Sequence, residues 1–296
     1  MSYSHTSLEQ WRAFQAVIDH GGYAQAASAM HRSQSAISYS VNRLQEQLGV
    51  RLLELDGRKA RLTEMGRVLL DRSRHLVDSA SELEELAHHL EQGWEAEIHL
   101  AVDAAFPMPL LFNALKDFAQ LAHGTRVTLT EVILSGAEDA LLEKTADLVI
   151  GANLPAEYMS EHLLDIEFIA VANPDHPLNQ LGEAVTAKQL RAELQVIIRD
   201  SGHTHSQNVG WQNTEQRWLV SHIDTAIETV IHGMGFCWLP SHKIEDKLKA
   251  GTLKAIPLRE GATYRVPLHM AFVQQEYPGP ATQLFAEKLK QAVANS

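Results

Sequence analysis

The 296-residue sequence predicts a mixed α/β protein: a tri-helical head closed by a hairpin, then one long helix, then a body of alternating strands and helices. Three observations carry this reading. Apolar residues recur at helical spacing through the first fifty positions. Leucines then repeat every seven residues at Leu69, Leu76, Leu83 and Leu90. From residue 94 onward, short apolar runs alternate with helical stretches, the pattern of sheets covered by helices.

The head begins with a helix from Ser7 to His20. Ser7 and Gln10 form a capping-box pair, and Leu8, Trp11, Phe14, Val17 and Ile18 share one face. Gly21-Gly22 ends it. A short helix over Ala24–Met30 is rich in alanine, which lets a neighbour approach closely. A third helix opens at the N-cap Ser33 and stops at Gly49, with Ile37, Val41, Leu44 and Leu48 as its apolar stripe. The opposite face holds Gln34, Ser35, Ser38, Tyr39, Asn42 and Gln45, without an acid before Glu46. Such a face fits either a solvated surface or a contact with base edges and phosphates.

The following stretch favours the second use. Arg51–Leu55 and Lys59–Leu62 flank Asp56-Gly57, a strong hairpin-turn dipeptide, and Arg58, Lys59 and Arg61 cluster around it. A basic hairpin after three helices is a wing, so the head reads as a winged helix-turn-helix. Thr63 then caps a helix from about Glu64 to Gln92. Its leucine seam, with Ser73, Ala80 and Ala87 between, predicts pairing of two copies. In the body, strands are expected at 98–102, 127–132, 148–151, 168–172, 196–198, 218–220, 236–239 and 268–273, in parallel sheets.

Charge agrees with this division. The chain carries a net charge of −12, but residues 1–74 hold ten Lys and Arg against seven Asp and Glu, leaving 15 bases and 30 acids for the rest. No apolar run is long enough to span a bilayer, and the first thirty residues do not read as a signal peptide, so a cytoplasmic protein is expected. The single cysteine, Cys237, excludes an internal disulfide framework and reads as a small buried hydrophobe. His203 and His205 beside Asp200 raise a metal reading, but without a second ligand cluster they read as loop histidines. No nucleophile elbow, phosphate loop or metalloprotease motif is present, so no enzyme is expected.

The N-terminal 66 residues resemble the DNA-binding domain of the LysR-type transcriptional regulators. The likeness rests on Phe14 and Val17, Ala26-Ala27, Ser33-Gln34-Ser35-Ala36-Ile37-Ser38, Leu44, Leu48-Gly49-Val50-Arg51-Leu52 and Arg61-Leu62-Thr63-Glu64-Met65-Gly66. Asp175-His176-Pro177-Leu178, Gly233-Met234-Gly235-Phe236 and Leu239-Pro240 are similar to signatures of the family's sensor domain. Gly93-Trp94-Glu95 is similar to the YhaJ-like branch. Two positions depart from the pattern: members commonly have Pro where Ser35 stands and Arg where Tyr39 stands, which removes one charge from the third helix.

The resemblance implies a head at 1–63, a dimerisation helix at 64–93, and an effector domain of two lobes like a periplasmic binding protein. One lobe takes 94–165 with 266–296, the other 166–265. It implies DNA contacts from Ser33, Gln34, Ser35, Ser38, Tyr39, Asn42, Arg43, Arg58 and Lys59. An effector of small size, with no other cofactor, is expected between the lobes at Asp103, Ala104, Ala105, Phe106, Ser135, Asp200, Ser201, His203, Ser221 and His222. Helix N-termini there favour an anion. Asp103 could instead repel a carboxylate, pair with an amine, or stand by. Ser135 could bond a ligand or only its own helix. Implied partners are a double-stranded operator, a second copy or a tetramer, and RNA polymerase for an activator.

Overall fold

The computed structural model describes residues 5–56, 59–122, 124–204 and 211–296, which cluster into two compact units, Met1–His89 and Leu90–Ser296.

The first unit opens with α1 (Leu8–Asp19), whose N-terminus is the expected capping box: the Ser7 hydroxyl accepts from Gln10 N–H and the Gln10 carbonyl accepts from Ser7 N–H. Helix α2 (Tyr23–Ala29) buries Ala26 and Ala27. Helix α3 (Gln34–Leu48) is capped by Ser33, which accepts from Ala36 N–H, and ends where Gly49 turns left-handed at φ 69°. Trp11, Phe14 and Val17 of α1 and Ile37, Val41 and Leu44 of α3 share one core. Two antiparallel strands follow, β1 (Leu53–Asp56) and β2 (Lys59–Leu62). Their last pair is Asp56 with Lys59, so Asp56 belongs to the strand and not to the turn.

Thr63 joins this hairpin to α4 (Glu64–Glu91). Its hydroxyl accepts from Gly66 N–H at 2.9 Å and donates to Arg51 O at 2.7 Å. The first half of α4 lies against α1. Leu70 and Ser73 are buried there, and Gln15 Nε2 donates to Ser73 Oγ at 3.0 Å. Ser73 therefore belongs to the contact with the head, not to the leucine seam, because its hydroxyl is used by α1. Leu76, Leu83 and Leu90 stand exposed, at 50%, 67% and 44%.

In the second unit the order is β3 (Glu97–Asp103), α5 (Met108–Ala119), β4 (Arg126–Val132), α6 (Gly136–Leu142), β5 (Leu148–Gly151) and the long β6 (Ser160–Ala172). Then come α7 (Pro177–Gln180), α8 (Ala187–Arg191), β7 (Leu194–Ile198), β8 (Gln216–Val220), α9 (Ile223–Ile231), β9 (Phe236–Pro240), α10 (Ser241–Lys249), β10 (Lys254–Ala255), β11 (Thr263–Phe272) and α11 (Pro280–Ala294). The strands form one sheet in the order β4-β3-β5-β11-β6-β9-β7-β8, with β10 on β6.

Only parts of this sheet are parallel. β3 pairs in parallel with β4 and β5, and β7 with β8 and β9. Between these groups run β6 and β11, antiparallel to each other from Thr263↔Ile169 to Ala271↔Ser160. The all-parallel expectation is thus corrected: two long strands tie the parallel groups together. The first half of β6 has no sequence marker because Ser160–Glu167 is mainly polar, half of it exposed, and its apolar residues are confined to Leu163, Leu164 and Ile166.

A distant side chain closes α11. Its N-cap, Gly279, offers no side chain, and the Glu95 carboxylate accepts instead from Ala281 N–H, Thr282 N–H and the Thr282 hydroxyl at 2.9, 3.1 and 2.8 Å. An anion at a helix N-terminus satisfies free amides and the helix dipole together.

Candidate functional site

Two features of the structure carry chemistry, one in each unit. The first is the outward face of α3. Gln34, Ser35, Tyr39 and Asn42 are exposed, Tyr39 at 71%, while Ser38 is half-buried. Ser33 spends its hydroxyl on the cap and on a 3.0 Å contact with Ser35. Arg43 is exposed and pairs with Glu46 one turn on, at 3.1 Å. Gln45 leaves this face: its side-chain oxygen accepts from Leu52 N–H and Leu53 N–H at 2.7 and 3.1 Å, fixing the hairpin to the helix. Lys59 begins β2, and Arg58 lies outside the described residues.

The second is a cavity of about 320 Å³ in the body. It opens where strands end: Asp103 at the end of β3 with Ala104 and Ala105 after it, Ile133 and Leu134 after β4, Ala152 and Asn153 after β5, Arg199 and Asp200 after β7. Ligand crevices of open α/β sheets lie at such carboxyl ends. Its far wall is aromatic: Trp211, Trp238 of β9, Phe168 of β6 and Tyr264 of β11. Phe168 and Tyr264 stack with ring centroids 5.0 Å apart, and the two tryptophans lie 6.0 Å apart. Burial pushes the Tyr264 phenol up to about 12, and the negative charge Cys237 would carry as a thiolate adds to the rise.

Asp103 is the buried charge of this cavity, 8% exposed. One oxygen accepts from Ala105 N–H at 2.8 Å. Burial raises its carboxyl to about 6, against the opposing pull of the Ala105 N–H and the charge of Lys243. Cys237 also lines the cavity, and burial lifts its thiol to about 12. It is therefore a thiol and a poor nucleophile.

Two loops meet beside the cavity. Asp200 accepts from the Ser135 hydroxyl at 2.6 Å, from Ser135 N–H at 3.1 Å and from Gly202 N–H at 2.9 Å. The Ser201 hydroxyl accepts from Ile133 N–H at 2.8 Å. The approach is so close that a Cβ on Gly136 would overlap Ser201 Oγ, and one on Gly202 would overlap Ser135 Oγ. Leu134, between these contacts, is held at φ 52°, a conformation a leucine adopts only when its surroundings enforce it.

Several residues expected at the effector site do not line this cavity. Phe106 is fully buried in the core, because its N–H turns back to Asp103 O. Ser135 and Ser201 spend their hydroxyls on the strut between the loops, and Ser135 makes no side-chain cap on α6. His203 lies against α6, its N–H on the buried Asp139 at 2.7 Å and its ring on Glu143 at 2.8 Å. The His203 N–H holds the Asp139 carboxyl below its ordinary range. Ser221 takes a 3.4 Å bond from Arg199, and His222 is the exposed N-cap of α9; neither lines the cavity. His205 lies outside the described residues. Sequence reasoning missed Trp211, Trp238, Phe168 and Tyr264, which come from four separate segments. No local pattern joins them: Phe168 and Trp238 sit inside β6 and β9, Tyr264 near the start of β11, and Trp211 before β8.

Residues 91–294 match the family described as LysR substrate binding domain, and residues 8–67 match bacterial regulatory helix-turn-helix protein, lysR family. The chain belongs to the LysR family of transcriptional regulators. It is 29% identical over 238 residues to YeeY of Escherichia coli K12, an uncharacterised HTH-type transcriptional regulator, covering 79% of this chain and 77% of YeeY. It is 29% identical over 255 residues to the probable HTH-type transcriptional regulator YhaJ of the same strain, covering 84% and 85%. The full-length LysG of Corynebacterium glutamicum with bound effector arginine shares the fold, with TM-score 0.53 and 18% identity over 98% of this chain and 99% of LysG. LysR-type regulators bind DNA and small-molecule effectors, form oligomers and are not enzymes. Among the described residues, no helix is long and apolar enough to cross a membrane.

Proposed function

We propose that this LysR-type regulator holds a double-stranded operator with Ser33, Gln34, Ser35, Ser38, Tyr39, Asn42 and Arg43 of α3 and with Arg58 and Lys59 of the wing. It does so in the cytoplasm as a homodimer joined through α4, two dimers making a tetramer. Its small-molecule effector sits in the 320 Å³ cavity, between a lobe of residues 94–165 and 266–296 and a lobe of residues 166–265. Asp103, Ala104, Ala105 and Asp200 belong to that site together with the aromatic wall. Phe106, Ser135, Ser201, His203, Ser221 and His222 support it from outside. Where the regulator activates, RNA polymerase is its further partner.

The observation that supports this reading most is the convergence on one cavity of strand ends from both parallel groups. A ligand touching both can favour one relative arrangement of the lobes, and differential affinity for two arrangements is what shifts an equilibrium. The test is operator binding by fluorescence anisotropy across a salt series. Replacing Arg58 and Lys59 together with Ala should weaken binding to every duplex and reduce the log–log salt slope by about 2. An unchanged slope removes the wing from the interface.

A further inference from the structure

We propose that the effector of this regulator is an aromatic amine or arylalkylamine, its ammonium group paired with Asp103 and its flat body against Trp211, Trp238, Phe168 and Tyr264. The inference rests on the cavity being the effector site. Two acids and one base that carry charge compete to set the ligand's charge: Asp103, Asp200 and Arg199 all line the space. Asp200 is consumed by Ser135 and Gly202, which fill its oxygens with three donors. Arg199 is exposed and leans on Ser221. Asp103 is left, 8% exposed and, among the described residues, holding one hydrogen bond, from Ala105, for two oxygens that can accept about four.

Lys243 of α10 acts on Asp103 only as a distant charge; among the described residues no ion pair joins them. The other titratable groups lining the same space, Cys237 of β9 and Tyr264 of β11, are neutral at physiological pH because burial raises both to about 12. A buried carboxylate without a counter-charge is costly. A carboxylate ligand would add a second negative charge beside it, and a neutral ligand would leave it uncompensated. An ammonium group neutralises it, donates to its open oxygen and is attracted by the faces of the surrounding rings. Two tryptophans, a phenylalanine and a tyrosine lining one space favour a flat apolar body over an aliphatic one.

The test uses the full chain and three probes of similar size: 2-phenylethylamine, 3-phenylpropanoate and 2-phenylethanol. Binding is followed by calorimetry and by melting temperature. The amine should bind most tightly near pH 7.5, and its affinity should fall about tenfold per pH unit below about 6, where Asp103 takes up a proton. Asp103→Asn keeps the acceptor for Ala105 and should weaken the amine roughly 10- to 100-fold while leaving 2-phenylethanol nearly unchanged. Tighter binding of the propanoate, amine affinity indifferent to Asp103→Asn, or no amine binding at millimolar concentration each overturns the inference. Ala152→Trp, which fills the cavity, separates the two readings. A propanoate that binds the parent and not this variant sinks the amine but keeps the cavity. An amine that binds both equally sinks the cavity itself.

Discussion

At the scale of single residues, Asp103 has a cost as well as a use. Its folded carboxyl titrates at about 6 against an ordinary 3.8, so between these values the folded chain holds a proton that the unfolded chain has released. Stability from this group is complete below about pH 4 and is lost as pH rises through about 6, a difference of about 3 kcal/mol. Ligand-free Asp103→Asn should therefore melt above the parent at neutral pH, and the gap should close in acid. Calorimetry at both pH values checks this, and equal neutral melting points would mean that Lys243 compensates the charge. Tyr39 makes a second point. It is 71% exposed where the family commonly carries Arg, so Tyr39→Arg should tighten operator binding and steepen the salt slope by about one.

At the scale of elements, the strut between the loops after β4 and β7 depends on two residues without side chains. Gly136→Ala and Gly202→Ala should each lower the melting temperature by the equivalent of about 1–3 kcal/mol, since the added carbon meets a hydroxyl already in use. On α4, Leu76→Glu with Leu83→Glu should leave the fold intact and shift sedimentation toward monomer, because both leucines are exposed and neither supports the head core. An unchanged sedimentation coefficient would remove the seam from the interface. The same elements show what a sequence can disclose. Ser7 with Gln10, Ser33 with Gly49, and the stripe of Ile37, Val41 and Leu44 are local rules satisfied within a few residues, and they were legible. The cavity was legible only where it follows a strand directly, as at Asp103–Ala105 and Asp200. Phe106 was misread because nearness in sequence stood in for nearness to the cavity, and one backbone turn buries it. Ser73 was misread because heptad spacing does not say which partner takes a small residue. Tyr264 reaches the cavity by pairing with Phe168 and Trp211 by accepting a hydrogen bond from Gln195 on its carbonyl, distant contacts that no local pattern encodes.

At the scale of the whole molecule, two compact units with separate cores should unfold as separate events. A ligand in the body stabilises the unit that binds it by mass action, so it should raise one calorimetric transition and leave the other in place. A single transition that moves as a whole would show the two cores to be coupled. The anchoring of α11 by Glu95 sets where the chain can be cut. A protease nick at the end of α4 leaves residue 95 attached to the body, and the last helix should stay docked. Trimming a few residues further discards the acid that holds that helix's first turn, so fragments starting beyond position 95 should be cleaved faster around residues 279–282 than slightly longer ones, while Phe285 and Leu289 keep the rest of the helix on the core.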